Sequence, residues 1–300
     1  MIPFVRAFDF AYGRRDQVSP LVQRVVADNP GPFTFTGTGT YIVGRAQAGA
    51  AVAVIDPGPM DMAHLEALLA ATVGRRVSHV LVTHTHRDHA PLARPFAEAT
   101  GAPILAARPP ARETHASGAL DEEEDADFAP DVVLDGGEVI AGDGWTLEAM
   151  FTPGHASNHM AFAVREENGL FCGDHVMGWS TTVVAPPDGN MRQYMASLDV
   201  VIARHFDVLW PTHGAPITQV RPFLAAYRAH RLDREAQIAA RLAAGDRTIA
   251  DMVPTLYAAV DPRLWPAASL SVLAHLIKLV EDGRAVCDGE PDLAARFRPL

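Results

Sequence analysis

The chain alternates short runs of apolar residues with stretches in which apolar residues have helical spacing, and this pattern predicts a mixed fold. Segments 40–45 and 51–56 have the composition of strands, with a Gly-containing turn between them that predicts a hairpin. Leucines at helical spacing then predict a helix that Asp61 caps and that reaches about Val73.

The same alternation continues through the first two thirds of the chain. Further strands are predicted at 77–83, 103–105, 145–152, 159–164, 169–172 and 208–210, and helices at 89–100 and 191–204. Strands alternating with helices predict a layered α/β domain, which we assign to residues 1–218.

The pattern changes after about Gln219. A long helix is predicted at 222–244, a second begins at a Thr248 cap and runs through Val260, and a third begins near Ala267. A turn and a short strand follow that third helix. Three helices followed by a β-wing are typical of a winged-helix module, so we predict a second domain at 219–300 that comprises the long helix and this module.

Composition predicts a soluble protein with a large core. Of the 300 residues, 48% are hydrophobic and 20% are charged. Cys172 and Cys287 provide no disulfide framework, which fits a reducing compartment. No secretory signal and no run of about 20 uninterrupted apolar residues is apparent, so we expect a cytoplasmic protein with no membrane partner.

The charge distribution bears on nucleic-acid binding. A net charge of −11 disfavours indiscriminate binding to nucleic acid, and the acidic run at 121–127 is expected to form an exposed loop. His230, Arg231 and Arg234 nevertheless predict a local basic face on the long helix. A solvated helix surface explains that face equally well, so single-stranded RNA stays an alternative partner.

Polar chemistry is concentrated in the segment His84-Thr85-His86-Arg87-Asp88-His89, between a predicted strand and a predicted helix. Loops at strand ends are where rigid scaffolds carry reactive groups. His84 and His86, two residues apart on an extended turn, can bind one metal ion. Asp88 and His89 then face away from that pair and can bind a second ion.

Four more polar residues follow predicted strands at Gly- or Pro-containing turns. They are Asp56, His155, Asp174 and His213. Neutral imidazole and carboxylate are ligands of borderline and hard metals, so the set favours zinc, with iron or manganese as alternatives.

In its order along the chain, this set resembles the metallo-β-lactamase superfamily. The resemblance implies a four-layer αββα sandwich and two divalent ions. It implies His84, His86 and His155 as ligands of the first ion, Asp88, His89 and His213 as ligands of the second, and Asp174 as the bridging carboxylate. It also implies that Asp56 supports the metal loop from behind the ligands.

Within that superfamily the chain is most similar to the lactamase-β-like 2 group, whose members carry a C-terminal winged helix. Antibiotic-hydrolysing members are exported and replace the bridging Asp, whereas this chain keeps Asp174. The matching segments are Thr152-Pro153-Gly154-His155, Gly173-Asp174-His175, Pro211-Thr212-His213-Gly214 and His230-Arg231-Leu232-Asp233-Arg234-Glu235. Members include thioesterases acting on carrier-bound acyl chains and single-strand-selective endoribonucleases, and glyoxalase-II-type thioesterases share the ligand set.

The ligand set predicts a metal-dependent hydrolase. A hydroxide shared by two ions would attack the substrate, with Asp88 as a ligand that also orients the attacking water. The leading hypothesis is hydrolysis of a small-molecule thioester or ester. The alternatives are a single-strand-selective endoribonuclease with the same metals, and a non-catalytic binding module in which the metals are structural.

Overall fold

The computed structural model describes residues 1–110, 125 and 127–300. Over these ranges the chain forms two facing sheets with helices on both outer surfaces, followed by a helical module with a small two-stranded sheet. This arrangement confirms the predicted α/β class and the four-layer sandwich. The predicted acidic loop at 121–127 lies outside the described residues, apart from Asp125 and Asp127.

The first sheet runs in the order β1 to β7, antiparallel as far as β4 and parallel from β4 onwards. Helices α1 and α2 cover its outer face, where Leu68 and Phe96 pack against Val54 and Val80. The elements are β1 (Arg15–Gln17), β2 (Val22–Val26), β3 (Gly39–Val43), β4 (Ala51–Ile55), α1 (Met62–Thr72), β5 (Arg76–Leu81), α2 (Ala93–Thr100), β6 (Ile104–Ala107) and β7 (Val132–Leu134).

The second sheet runs in the order β12-β11-β10-β9-β8, and only its β11–β12 pair is parallel among the described strands. Its inner face packs against the first sheet through Leu147, Phe162 and Phe171, and helices α3 and α4 cover its outer face. The elements are β8 (Val139–Gly142), β9 (Trp145–Phe151), β10 (Met160–Val164), β11 (Gly169–Gly173), α3 (Met191–Ala203), β12 (Val208–Pro211) and α4 (Val220–Ala244).

The C-terminal module continues from α4 without a break. Phe223 and Tyr227 of α4 lie in the core of the sandwich, whereas Ile238 and Leu242 of the same helix lie in the module's core. The module's elements are α5 (Ile249–Leu256), a 3-10 turn (Pro262–Leu264), α6 (Trp265–Glu281), β13 (Ala285–Cys287) and β14 (Phe297–Pro299). The predicted three helices and wing are therefore present, and α4 is shared between the two cores.

Two helix ends differ from the prediction by four residues each. The helix predicted from His89 begins only at Ala93, because residues 86–90 form a turn in which the His86 carbonyl accepts from the N–H groups of His89 and Ala90. That turn is what lets neighbouring polar side chains converge. The helix after Thr248 ends at Leu256 instead of Val260, since the chain turns at Tyr257.

One segment within the described residues, Pro262–Glu281, has the length and composition of a membrane span, with a mean hydropathy of 1.3. Its residues Leu273, Leu276 and Leu279 are buried in the core of the module against α4 and α5. Packing of the module explains the apolar composition of this helix.

Candidate metal centre

The predicted ligands lie where strands of the two sheets end. The segment from His84 to His89 follows β5, while His155, Asp174 and His213 follow β9, β11 and β12. These strand ends converge at one edge of the sandwich. The structure thus brings all seven predicted ligand residues together from sequence positions as far apart as His84 and His213.

Side chains from these strand ends form three overlapping sets whose ligand atoms lie within 4.8 Å of one another. The sets are His84, His86 and His155; His84, His89 and Asp174; and Asp88, His89 and His213. The first and third match the two groups expected from the resemblance. Asp174 lies between them, 3.9 Å from His155 Nε2 and 3.5 Å from His213 Nε2.

Four of the histidines are anchored in the same way, each with Nδ1 bonded to an oxygen of the protein. The acceptors are Thr83 Oγ1 for His84 at 3.0 Å, Asp56 Oδ2 for His89 at 2.9 Å, the Val183 carbonyl for His155 at 2.7 Å and the Gly37 carbonyl for His213 at 3.2 Å. A neutral histidine that donates from Nδ1 keeps its lone pair on Nε2, and metal-ligating histidines are held in this manner. His84 Nε2 lies 2.9 Å from His86 Nδ1.

Asp56 organises this support. Its carboxylate accepts from the Thr83 N–H at 2.7 Å, from the hydroxyls of Thr83 and Thr212 at 2.8 and 3.0 Å, and from His89. Asp56 has a φ of +51°, a region that non-glycine residues rarely adopt, and these bonds hold it there. The resemblance predicted Asp56, whereas Thr83 and Thr212 were missed, although each immediately precedes a candidate ligand.

Glycine is required directly before two ligands. Gly154 precedes His155 with a φ of +137°, and a Cβ there would lie 2.3 Å from Tyr194 Cα. Gly173 precedes Asp174 with a φ of +51°, and a Cβ there would lie 2.5 Å from His159 Nε2. Both turns therefore need close backbone approach, which only glycine allows.

Several buried atoms of this set make no hydrogen bond within the described residues, although they lie near one another. They are His89 Nε2, His155 Nε2 and Asp174 Oδ1. Leaving polar atoms buried and unpaired is costly, and divalent ions between them would satisfy all three. The donors are nitrogen and oxygen, while Cys172 Sγ donates instead to the Val176 carbonyl. The set therefore fits divalent zinc, iron or manganese.

The pKa values of these histidines shift in opposite directions in the two groups: those of His84 and His86 are lowered, and that of His213 is raised. Burial and then the neighbouring histidines hold the pKa of His84 well below its ordinary value, and burial lowers that of His86 to about 3. Burial opposes protonation of His213 too, but Asp174 and Asp88 outweigh it and raise its pKa to about 10. Carboxylates that hold a proton there equally attract a metal cation.

His159 and His175 flank the ligands without joining them. His159 is fully buried, accepts from the Asp174 N–H at 3.2 Å and bonds Thr152 Oγ1 at 2.8 Å. It therefore supports the backbone of Asp174. His175 is equally buried, and both its ring nitrogens lack partners within the described part of the chain.

A cavity of about 240 Å³ opens beside the ligands. Pro30, Pro32 and Phe33 give it an apolar wall, and Asp88 is 23% exposed towards solvent. The loop that carries this wall is tied to the centre, because Thr38 Oγ1 donates to the Asp88 carbonyl at 3.0 Å. The remaining lining residues are Asn29, Gly31, Thr34, His86, Arg87 and Asp174.

Comparison with known families agrees with this geometry. The model of the metallo-beta-lactamase superfamily matches residues 35–213, and that of the beta-lactamase associated winged helix domain matches residues 248–293. The chain belongs to the metallo-β-lactamase superfamily. It is accordingly a hydrolase, and the hypothesis of a non-catalytic binding module is set aside.

Individual relatives cover most of this superfamily member. "Lactamase-like protein adaB" of Aspergillus niger is 30% identical over 97% of this chain and 93% of its own length. "Atrochrysone carboxyl ACP thioesterase" of Aspergillus chevalieri is 34% identical over 75% of this chain and 67% of its own length. "Beta-lactamase-like protein 2 homolog" of Caenorhabditis elegans is 29% identical over 89% of this chain and 87% of its own length.

A solved structure shares the fold over the whole chain. The beta-lactamase domain protein from Burkholderia ambifaria has a TM-score of 0.78 and 22% identity, and covers 100% of this chain and 97% of its own. This likeness extends through both the sandwich and the C-terminal module.

The basic face predicted on α4 is only partly exposed, since His230 and Arg234 are half-buried and Arg231 is buried. Arg231 is only 3% exposed, and its Nη2 donates to the Thr182 carbonyl. Arg234 donates to the Leu256 carbonyl at 2.9 Å and lies over the Tyr257 ring. Of the three predicted residues only Arg231 is buried, which helical spacing alone does not show, and single-stranded RNA stays an alternative partner.

Proposed function

We propose that this superfamily member is a dinuclear metal-dependent thioester hydrolase. The observation that carries the proposal is the convergence of seven N- and O-donor side chains, two groups of three with Asp174 between them, beside an open cavity. His84, His86 and His155 would hold one ion, Asp88, His89 and His213 the other, and Asp174 would contact both.

The relatives support the thioester part of this proposal. The Aspergillus chevalieri protein is named an ACP thioesterase, as are relatives in Paecilomyces divaricatus and Aspergillus terreus that are 34% and 33% identical. We therefore infer that this chain acts on an acyl group joined to a carrier through sulfur.

The chemistry of the leaving group favours the same choice. A thiol has a pKa near 8.5, so a thiolate can depart at neutral pH with little help from a general acid. An alcohol or an RNA hydroxyl needs a proton donor at that moment. The described lining of the cavity offers two carboxylates, one histidine and one arginine. Both carboxylates belong to the proposed ligand set, so neither would serve as the proton donor that an alcohol needs.

The side chains have distinct roles in this proposal. Bound divalent ions would lower the pKa of a water molecule towards about 7 and polarise the carbonyl of the substrate. Asp88 lies 3.0 Å from His213 and 3.3 Å from His89, and it reaches the cavity, so its carboxylate can accept a hydrogen bond from the attacking water. Pro30, Pro32 and Phe33 provide an apolar wall for the acyl group and exclude water from one side.

A substrate panel tests the proposal. One zinc-loaded preparation is assayed on an acyl-pantetheine thioester, an acyl-CoA, S-lactoylglutathione and a labelled single-stranded RNA. We expect hydrolysis of at least one thioester, measured as released thiol, with kcat/KM well above that for the corresponding oxygen ester. Cleavage of RNA without turnover of any thioester would replace this proposal with the endoribonuclease alternative.

A further inference from the structure

We propose that Tyr227 and Arg231 of α4 are positioning residues of the metal centre. They hold the segment Thr182-Val183, and that segment holds two of the proposed ligands, His155 and Asp174. The inference rests on the proposed function, since it assigns these residues a task only if the centre binds metal.

The first step is the contact between the segment and the ligands. Thr182 Oγ1 donates to the Asp174 carbonyl at 2.8 Å, and its neighbour's carbonyl, Val183 O, accepts from His155 Nδ1 at 2.7 Å. The segment thus fixes the backbone position of Asp174. It also fixes the ring orientation of His155. A shift of the segment would move both together.

The second step is the contact between α4 and the segment. The Tyr227 hydroxyl accepts from the Thr182 N–H at 2.6 Å and lies 3.0 Å from Thr182 Oγ1, and it donates to the Ser180 carbonyl at 3.2 Å. Arg231 Nη2 donates to the Thr182 carbonyl. Residues 174–190 include neither helix nor strand, so these bonds from a rigid helix supply order that the segment lacks by itself.

The burial of Arg231 indicates that it does more than fill space. Its side chain contacts the rings of Tyr194 and Tyr227, with Cζ 5.1 and 6.0 Å from their centroids, and Nε has no partner within the described residues. Glu235, one turn further along α4, pairs instead with Lys278 and Arg284. A buried guanidinium without a carboxylate partner is costly, and a leucine would pack there at less cost.

The consequence is a link between the two halves of the molecule. Tyr227 lies in the core of the sandwich, and α4 continues into the core of the C-terminal module through Ile238 and Leu242. Through α4, the module would therefore contribute to the geometry of the metal centre.

The test measures metal affinity as well as turnover. Tyr227→Phe removes one hydroxyl and keeps the ring that stacks on Phe223 at 5.6 Å, and Arg231→Lys removes the fork of the guanidinium. For each variant we expect the dissociation constant for Zn²⁺, measured by competition with a chromophoric chelator, to rise about tenfold, the low end of what outer-shell partners cost. We also expect kcat to fall with KM little changed.

Arg234→Lys is the matched control. Arg234 also lies on α4, also donates to a backbone carbonyl and also lies over a tyrosine ring, but its acceptor, Leu256, belongs to the C-terminal module. We expect this variant to bind Zn²⁺ like the wild type. Melting temperatures of all metal-free proteins show whether a variant acts through general destabilisation.

The outcomes of these measurements test the positioning role and the proposed substrate separately. If Tyr227→Phe and Arg231→Lys bind Zn²⁺ as tightly as the wild type, or if Arg234→Lys weakens binding equally, the positioning role is wrong. If Arg231→Lys does not fold, Tyr227→Phe decides alone. If the wild type binds metal but hydrolyses no thioester, the proposed substrate fails while the affinity measurement still tests the positioning role.

Discussion

Two regions of this molecule bury histidines in opposite ways. In the candidate metal centre, His84, His89, His155 and His213 each bond Nδ1 to an oxygen of the protein, and two carboxylates, Asp88 and Asp174, lie among them. His275 of α6 is also buried, but both its nitrogens lack partners within the described chain.

The neighbours of His275 explain the contrast. Burial, and then Arg231, Arg234 and Lys278, lower its pKa to about 3. Arg231, Arg234 and Lys278 act on His275 where Asp88 and Asp174 act on His213, so the surroundings of His275 attract neither a proton nor a metal cation. Burial of a histidine therefore does not identify a ligand; the carboxylates beside it and the anchoring of its second nitrogen do.

The largest difference in activity is expected when one histidine is replaced in each region. His86→Ala should lower kcat/KM by more than the roughly 100-fold that loss of a supporting residue costs, because it removes a ligand itself. His275→Gln should keep most of the activity and the full metal content. Steady-state kinetics with metal analysis of both proteins checks this, and equal activity of His86→Ala and wild type would contradict it.

The anchoring of the second nitrogen is tested through Asp56. Asp56→Asn replaces an acceptor of the His89 N–H with an amide, and we expect metal affinity or activity to fall by about 10–100-fold. Asp143→Asn is the matched control, since Asp143 accepts a backbone N–H from Ala51 on the first sheet, away from the ligands. Chelator competition measures both. Similar losses in the two variants would mean that the effect is one of folding.

Removal of metal should lower the stability of the folded protein. This loss should depend on the histidines of the candidate metal centre and not on His275. Zinc at about 100 times its dissociation constant stabilises the folded state by about 2.7 kcal/mol, which corresponds to a rise in melting temperature of roughly 5 °C. Differential scanning calorimetry with and without chelator checks this. The same rise is expected for His275→Gln and a much smaller one for His86→Ala; a rise that persists undiminished in His86→Ala would contradict the assignment.

Acid should lower the free energy of unfolding, and His275→Gln should reduce this dependence on pH. Unfolded His275 would take up a proton near pH 6.5, whereas the folded residue stays neutral down to about pH 3. The unfolded state therefore binds more protons in that window, and the free energy of unfolding falls as pH falls. His275→Gln should reduce this slope by up to about 1.4 kcal/mol per pH unit, measured by urea unfolding between pH 6.5 and 4.5. An unchanged slope would show that His275 is not held neutral.

Much of the architecture was predictable from local patterns. The Asp61 cap, the hairpin of β3 and β4, and the candidate polar residues after β5, β9, β11 and β12 follow from periodicity and turn residues, whereas the resemblance supplied their roles as ligands. Strand β2 was missed, because its buried Gln23 and Arg24 interrupt the apolar pattern.

What could not be predicted depends on contacts between residues distant in sequence. Thr212 meets Asp56 across 156 positions, and Arg231 meets Thr182 across 49. Periodicity places Arg231 on a helix but does not show that α4 turns this residue towards the metal centre. Supporting residues of this kind become visible only when the strand ends and α4 are placed together.

Titration of chelator-treated protein with Zn²⁺, with the rate of acyl-pantetheine hydrolysis followed at each addition, tests the central claim most directly. The account predicts no turnover without metal and a rate that reaches its plateau at about two equivalents per chain, one for each group of ligands that Asp174 joins. A protein that hydrolyses the thioester equally well without metal would contradict it.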